Sequence, residues 1–202
     1  MPKPWHLETA DVRIRKVCVG PYENNAYIVA DARSNVGVIV DAASEAVLLA
    51  EESAGIAVRA ILTTHGHLDH VAAARETADR LGVPFLMDPA DAAIAGIAAD
   101  GPLPRGRFEV GSLSVDVITT PGHTPGSACF AVPGVVFSGD TLFPGGPGAT
   151  RFPYSDFDQI IASIETGLFT LDDATLVMPG HGLDTTIGAE RPSLEAWRAR
   201  GW

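Results

Sequence analysis

Five of the six histidines fall in three short segments, and each segment directly follows an apolar run that is typical of a β-strand. A fourth segment of the same kind supplies an aspartate after another apolar run. Neutral imidazoles and carboxylates are the side chains that hold first-row metal ions in hydrolytic sites. The pattern therefore predicts a metal site, whose candidate ligands are His65, His67, Asp69, His70, His123, Asp140 and His181.

The spacing within Thr64–His70 suits a metal-binding loop. His65 and His67 are two positions apart, so their side chains can face the same way in an extended chain, and Gly66 between them permits a tight bend. Zinc takes four or five ligands, which makes seven candidates too many for one ion. They fit two ions about 3.5–4 Å apart with one bridging carboxylate. We expect two divalent ions per chain. Zinc is the first candidate, and the ligand types also suit iron and manganese.

Ligand loops of this kind are commonly carried by rigid strands, and the rest of the sequence supplies candidates for these. Apolar, β-branched runs predict strands, and helical spacing predicts helices between them, which indicates an α/β or α+β protein with two sheets. The predicted strands are Val12–Val19, Ala26–Ala30, Val36–Val40, Ala60–Thr63, Val83–Met87, Leu113–Thr119, Ala128–Val132, Val135–Ser138 and Thr175–Met178. The predicted helices are Ser44–Ala54 with Ser44 as N-cap, Val71–Leu81 ending at Gly82, Pro89–Ala98, Ser155–Leu168 and Pro192–Arg200.

Composition excludes several classes of protein. The 202 residues are 46% hydrophobic and 19% charged, with a mean hydropathy of +0.16, so the chain can build a core and is not intrinsically disordered. No apolar run approaches the roughly 20 residues that a membrane-spanning helix needs. The net charge of −11 disfavours binding to nucleic acid or to anionic membranes.

Cysteine content and the N-terminus indicate a reducing compartment. Cys18 and Cys129 are too few for a disulfide framework and lie in apolar runs, so we expect two buried free thiols. The first residues, Met1–His6, have no apolar core and no small-residue cleavage site, so they do not read as a signal peptide. We therefore expect a cytoplasmic protein, with His6 an ordinary side chain outside the metal site.

The motifs in their order along the chain resemble those of the metallo-β-lactamase superfamily, and within it the glyoxalase II-like hydrolases. The resemblance rests on Val38–Asp41, Thr64–His70, Pro121–Ser127, Ser138–Phe143 and Pro179–Gly182. It implies one domain over residues 1–202, an αββα sandwich with the site at one edge. It also implies that His65, His67 and His123 hold one ion, that Asp69, His70 and His181 hold the other, that Asp140 bridges them, and that Asp41 braces the site from behind.

The sequence departs from glyoxalase II in two ways. Those enzymes carry a C-terminal helical region that helps hold glutathione, whereas here only Leu183–Trp202 follow the last ligand motif. Basic residues that would meet glutathione's carboxylates are scarce, and Arg151 and Tyr154 are the best candidates for binding substrate. The tail residues Arg191, Arg198 and Arg200 are expected on a solvated helix face, and whether Trp197 packs on its own domain or on a partner stays open.

The resemblance and the ligand set together predict a hydrolase that cleaves a small 2-hydroxyacyl thioester, such as an S-lactoyl thiol, with a metal-bridging hydroxide. Asp69 is the catalytic candidate, because it could orient the hydroxide and pass on its proton. A thiolate with a parent pKa of about 8.5 leaves readily, which suits a thioester.

Three alternatives remain open at this stage. One is a persulfide dioxygenase, in which a single iron is held by the equivalents of His65, His123 and Asp140. Another is a different hydrolase of the superfamily, and the last is a binding module without turnover. Neither the thiol, the acyl group nor the oligomeric state follows from the sequence.

Overall fold

In the computed structural model, which describes residues Pro2–Gly201, two six-stranded sheets form the centre of the fold. The first sheet follows chain order, with antiparallel pairing from β1 to β4 and parallel pairing from β4 to β6. Its strands are β1 (Leu7–Glu8), β2 (Val12–Val19), β3 (Asn24–Asp31), β4 (Val36–Val40), β5 (Ala57–Leu62) and β6 (Phe85–Leu86).

The second sheet comes from the C-terminal half, in the order β14-β13-β10-β9-β8-β7. Only β10 and β13 run parallel in it. Its strands, with a separate two-stranded pair β11 and β12, are β7 (Gly106–Val110), β8 (Leu113–Thr119), β9 (Ala128–Val132), β10 (Val135–Gly139), β11 (Leu142–Phe143), β12 (Gly146–Pro147), β13 (Leu176–Pro179) and β14 (Thr185–Thr186).

Helices cover the outer face of each sheet. They are α1 (Ala46–Glu52), α2 (Leu68–Val71), α3 (Ala74–Leu81), α4 (Ala92–Ala95), α5 (Phe157–Thr166), α6 (Ile187–Glu190) and α7 (Leu194–Arg200), with single 3-10 turns at Pro89–Asp91, Leu168–Thr170 and Arg191–Ser193.

Three apolar clusters hold these layers together. The central one lies between the sheets and includes Tyr27 and Phe137, whose ring centroids are 4.9 Å apart. A second lies between the first sheet and α1 and α3, and a third lies between the second sheet and α5 and α7. Helix, sheet, sheet and helix therefore stack in that order, which confirms the predicted αββα sandwich.

Three of the predicted helices differ from the structure in detail. The one predicted over Pro89–Ala98 is a 3-10 turn at Pro89–Asp91 followed by α4, which ends at Ala95. Ser44 does not cap α1: Glu45, with a left-handed φ of 58°, precedes the helix and no side chain caps it. Ser44 instead packs beside Gly20, where an added Cβ would lie 3.1 Å from the Ser44 Cβ. The helix predicted over Val71–Leu81 is divided into α2 and α3, and α3 ends at Gly82 as expected, with φ 66°.

Cys18 corrects the prediction of two buried thiols. It is exposed on β2, whereas Cys129 is buried on β9. The neighbours Val17 and Val19 are both buried, because side chains alternate between the faces of a strand. An apolar run therefore does not bury each of its members.

The C-terminal tail packs on its own chain. Trp197 is 3% exposed and belongs to the cluster under the second sheet. Arg191, expected on a solvated face, instead donates hydrogen bonds to the carbonyls of Phe169 and Leu171, whereas Arg198 forms surface ion pairs. Trp202 lies outside the described residues. Over the described part of the chain, no helix combines the length and apolarity that crossing a bilayer requires.

Candidate metal centre

Four strand ends bring the predicted ligands to one edge of the sandwich. The segment after β5 carries His65 and His67, His123 follows β8, Asp140 follows β10 directly, and His181 follows β13. Asp69 and His70 lie in α2, which begins right after the first of these segments. All seven predicted ligands meet there, and they form overlapping groups whose ligand atoms lie within 4.8 Å of one another.

The first triad consists of His65, His67 and His123. The Nδ1 atom of His67 lies 3.0 Å from His65 Nε2 and 2.9 Å from His123 Nε2. Ligand nitrogens at about 2.0–2.1 Å from a tetrahedral zinc ion are about 3.3 Å apart, so these atoms are close to the required spacing. His65 and His123 are buried, which makes this a rigid, nitrogen-only group.

The second triad consists of Asp69, His70 and His181. The Nε2 atoms of the two histidines are 3.3 Å apart, and Asp69 Oδ2 lies 3.3 Å from His181 Nε2 and 3.7 Å from His70 Nε2. Unlike the first triad, this group includes a carboxylate, and only His70 is fully buried. Asn24 Nδ2 donates a 3.0 Å hydrogen bond to Asp69 Oδ2 and holds that carboxylate in place.

Asp140 lies between the two triads with one carboxylate oxygen toward each. Its Oδ2 is 3.6 Å from His123 Nε2, and its Oδ1 is 3.4 Å from His70 Nε2 and 3.9 Å from His181 Nε2. Gly180 makes room for this arrangement, because a Cβ there would lie 2.4 Å from Asp140 Oδ1.

The buried Oδ1 of Asp140 has no hydrogen-bond partner among the described residues. Since buried polar atoms are nearly always satisfied, an orphaned carboxylate oxygen aimed at imidazole nitrogens calls for a cation. The donor set therefore fits two divalent ions bridged by Asp140.

Hydrogen bonds on the far side of the imidazoles fix which nitrogen faces the centre. His123 Nδ1 donates to the carbonyl of Ala149 at 2.7 Å, and His181 Nδ1 donates to the carbonyl of Tyr22 at 2.9 Å. A carbonyl only accepts, so in both neutral rings the inward Nε2 carries the lone pair.

Asp41 does the same for His70, since its Oδ2 lies 2.9 Å from His70 Nδ1. It also accepts hydrogen bonds from the backbone and hydroxyl of Thr64 at 2.7 Å each. This position behind the ligands is the bracing role that the family resemblance implies for Asp41.

The environment biases the two triads in opposite directions before any ion binds. Burial lowers the pKa of His65 well below its usual value and that of His67 to about 4, helped by neighbouring imidazoles, so both stay neutral ligands at pH 7. Burial also opposes charge on His70 and His181, but nearby carboxylates outweigh it and raise both pKa values. The second triad can thus hold protons that a metal ion must displace.

Arg151 and Tyr154, the predicted substrate-binding residues, lie beside the centre in different positions. Tyr154 places its hydroxyl 2.9 Å from His67 Nε2, and its ring stacks on Phe152 with centroids 5.6 Å apart. Arg151 lines a cavity of about 520 Å³ next to Asp69, and among the described lining residues it is the only basic one. The cavity wall is otherwise largely apolar, with Tyr22 and Leu68 at its rim.

Sequence reasoning missed four residues that shape this site. Asn24 orients Asp69, Thr64 joins Asp41, Phe152 packs 4.8 Å from the His67 ring, and buried Asp91 accepts hydrogen bonds from two ligand loops. None belongs to a spacing pattern, and Asp91 resembles an ordinary acidic residue at a helix start. His6, expected outside the site, pairs with Asp184 at 2.6 Å.

Several known proteins are similar to this chain over most of its length. A model of the metallo-beta-lactamase superfamily matches residues 19–181. An uncharacterised protein of Mycobacterium leprae is 35% identical, and the match covers 87% of this chain and 95% of that protein. The hydroxyacylglutathione hydrolase GloC of Haemophilus influenzae is 34% identical with coverage of 90% and 96%. A hydroxyacylglutathione hydrolase of Rhizobium meliloti is 36% identical, with 79% of this chain and 62% of that enzyme covered.

Several solved structures are also similar to this chain in fold and sequence. The B3 metallo-beta-lactamase BLEG-1 matches with a TM-score of 0.81 at 30% identity, covering 89% of this chain and 96% of that one. TTHA1623 in a di-iron-bound form matches with a TM-score of 0.76 at 34% identity, covering 88% and 96%. ETHE1 from Myxococcus xanthus matches with a TM-score of 0.78 at 28% identity, covering 88% and 81%. The chain belongs to the metallo-beta-lactamase superfamily, as a metal-binding hydrolase of that fold.

Proposed function

We propose that the protein is a dinuclear metal hydrolase that cleaves 2-hydroxyacyl thioesters, such as an S-lactoyl thiol, into the acid and the free thiol. The observation that carries the proposal is the position of Asp140, with one oxygen toward each of two converging triads. The thioester is favoured by relatives named as hydroxyacylglutathione hydrolases, of which GloC matches this chain over nearly its full length.

The proposed centre has seven ligands, with Asp140 shared between the ions and the others divided as in the two triads. Two bound divalent ions would supply hydroxide at neutral pH and stabilise negative charge on the carbonyl oxygen. Zinc is the first expectation, and iron or manganese suits the same ligands. Carboxylate oxygens and imidazoles bind all three metals, so the ligand types alone do not determine which metal is bound.

The chain's own residues orient water and accept its proton. Asp69 is the proposed catalytic residue: Asn24 donates a hydrogen bond to its Oδ2, which lies on the side of His181, and this leaves Oδ1 to align the attacking water and receive a proton. Burial opposes the charge on Asp69, but His181 and His70 outweigh it and keep its pKa low, so the carboxylate is ionised at pH 7.

A cysteine nucleophile is not needed and the buried thiol is a poor candidate for one. Burial raises the pKa of Cys129 to about 11, so at pH 7 it stays protonated inside the second sheet. The thiol of the substrate leaves as a thiolate without strong acid assistance.

The proposed substrate-binding role of Arg151 follows from its place on the cavity wall. An anionic group on the thiol would approach its guanidinium, whereas the apolar wall near Leu68 and Phe152 suits the uncharged part of the substrate. Tyr154 is proposed to act at the same mouth, next to His67.

The first experiment measures metal content and turnover on the same full-length preparation. Two ions per chain and thiol release from S-lactoylglutathione are expected. Two ions without thioester cleavage but with opening of a β-lactam would move the protein to another hydrolase activity of the superfamily. A single iron with oxygen uptake in the presence of glutathione persulfide would identify the dioxygenase alternative, since His65, His123 and Asp140 also lie together.

Arg151→Gln tests the substrate-binding half of the proposal. We expect KM for S-lactoylglutathione to rise about tenfold with kcat preserved, because one charge-assisted contact is lost. The thioester of the same acyl group with uncharged N-acetylcysteamine should be unaffected. Arg59→Gln removes an exposed charge from β5, outside the cavity wall, and serves as control. Equal behaviour of the two variants would reject the role of Arg151.

A further inference from the structure

Asp91 is a fully buried carboxylate that touches both loops of the first triad without being a candidate ligand. Its Oδ2 accepts hydrogen bonds from the Gly66 amide at 2.7 Å and the Thr124 hydroxyl at 2.6 Å. Its Oδ1 accepts a hydrogen bond from the Gly126 amide at 2.7 Å. All of these partners are donors, so the ionised carboxylate satisfies them without a proton of its own.

The positions of these donors relate Asp91 to the metal centre. Gly66 stands between His65 and His67, and Thr124 directly follows His123. A single carboxylate thus joins the loop after β5, in the first sheet, to the loop after β8, in the second. The distance between the two loops sets the distance between the nitrogens of the first triad.

The fit around Asp91 is close enough to require two glycines. A Cβ at Gly66 would lie 2.7 Å from the Asp91 Cβ, and one at Gly126 would lie 2.7 Å from its Cγ. Real Cβ atoms do not approach other atoms this closely. The backbone of each loop therefore rests directly on the carboxylate, where a side chain at either position would force the loops apart.

We infer that Asp91 is a positioning residue for the first metal ion: its carboxylate holds the two loops at the separation at which His65, His67 and His123 converge. Hydrogen-bond partners outside the ligand set commonly contribute 10–100-fold to metal affinity by orienting the ligands. Asp91 does not bond the ligand side chains themselves. It would act through the two loops that carry them, and so on His65, His67 and His123 together. The inference rests on the proposed metal centre and is independent of which substrate it cleaves.

Asp31 provides a matched control within the same chain. It is also buried and accepts hydrogen bonds from a neighbouring loop and from the other sheet, namely from Ser34 Oγ at 2.5 Å and from the Ser112 amide at 2.8 Å. It lies at the far end of β3 from Asn24, about 23 Å away along the strand. Asp31→Asn removes a buried, hydrogen-bonded carboxylate of the same kind without changing a contact of the ligand loops.

The test compares Asp91→Asn with Asp31→Asn in the zinc-loaded full-length protein, titrated with a chelator. An asparagine at position 91 must turn its amide NH₂ toward a backbone N–H that now has no acceptor. We expect the ion of the first triad to bind about 10–100-fold more weakly in this variant, while Asp31→Asn stays within about twofold of wild type. Loading with cobalt adds a spectroscopic readout, because the absorption bands should shift in Asp91→Asn alone.

Thr124→Val keeps the test decisive if Asp91→Asn does not fold. It removes one of the three hydrogen bonds with little change in shape, and we expect affinity to fall about fivefold. Unchanged affinity and cobalt bands in either folded variant, or equal losses in Asp31→Asn, would overturn the inference. A wild-type protein that held no zinc would instead overturn the metal centre itself, and this inference with it.

Discussion

At each end of the sandwich a buried aspartate joins two parts of the chain by hydrogen bonds, but the groups around the two aspartates differ. At one end Asp31 joins β3 to the turn between β7 and β8, and at the other Asp91 joins the loops after β5 and β8. Both carboxylates are buried and both are satisfied by hydrogen-bond donors from two parts of the chain. Both carboxylate oxygens of Asp31 accept hydrogen bonds. Beyond Asp91, the candidate ligand atoms converge in overlapping groups, within 4.8 Å of one another.

The difference shows what separates a structural polar cluster from a functional one. At the ligand edge, the outward nitrogens of His123 and His181 donate to carbonyls, so in the neutral rings that bind metal the inward nitrogens can only accept. Asp140 Oδ1 faces them without a hydrogen bond. Acceptors that face acceptors repel one another unless a cation lies between them, and the fold holds them there. The site is thus organised at a cost in stability that a metal ion offsets.

Removing the shared carboxylate should break the ligand edge most severely. In Asp140→Ala neither triad keeps its bridging oxygen, so we expect fewer than two ions per chain. Turnover should fall by about 10³-fold, because the loss of metal-based stabilisation costs several kcal/mol. Metal analysis and thiol release on one preparation check both effects. Full metal content with full turnover would exclude the two-metal mechanism.

His181→Ala should weaken metal binding at the second triad and leave the first triad intact. The second ion would lose one of its two imidazoles and keep only Asp69, His70 and the shared Asp140, whereas the first triad keeps all of its nitrogens. We therefore expect about one ion per chain and a large loss of turnover. His6→Ala is the matched control, because His6 pairs with Asp184 and belongs to none of the candidate ligand groups. A His181→Ala protein that still bound two ions would contradict the assignment of His181 as a ligand of the second ion.

Tyr154→Phe should have a smaller effect. Whether it changes metal affinity or KM distinguishes a contact of Tyr154 with His67 from a contact with substrate. The hydroxyl lies 2.9 Å from His67 Nε2, so its loss should weaken the ion of the first triad about fivefold. KM should not change if this contact is the main role of Tyr154. A raised KM with unchanged chelator resistance would instead support a direct contact between Tyr154 and substrate.

Asp31→Asn should change stability alone, which is the smallest effect on function. The hydroxyl of Ser34 and the amide of Ser112 hold the pKa of Asp31 well below its usual value. Its contribution is therefore present above about pH 4 and disappears as the pH falls below that. We expect a loss of about 2 kcal/mol at pH 7, or roughly 4–8 °C in Tm. Melting curves from pH 3 to 7 should show the variant and wild type converging in acid.

The sequence predicted which side chains meet at one edge of the sandwich better than it predicted the elements that hold them. The histidine and aspartate motifs are local, and each directly follows an apolar run, so type and spacing carried the prediction. The capping of α1 by Ser44 was wrong: Glu45, in a left-handed conformation, precedes the helix, and Ser44 packs beside Gly20 from another part of the chain. The burial of Cys18 was wrong because strand alternation turned it outward. Both errors arose where a neighbour distant in sequence, or the choice of face, settled the outcome.

By itself, the sequence determined the residue types that can hold two ions, their order, and the apolar runs that end beside them. Only the tertiary structure decided which nitrogen of each imidazole faces inward, how the oxygens of Asp140 divide between the triads, and that Asp91 joins the ligand loops. Those features depend on groups far apart in the chain, such as Gly66 and Gly126 on one carboxylate. Spacing along a chain cannot encode such contacts, because they exist only once the two sheets have packed.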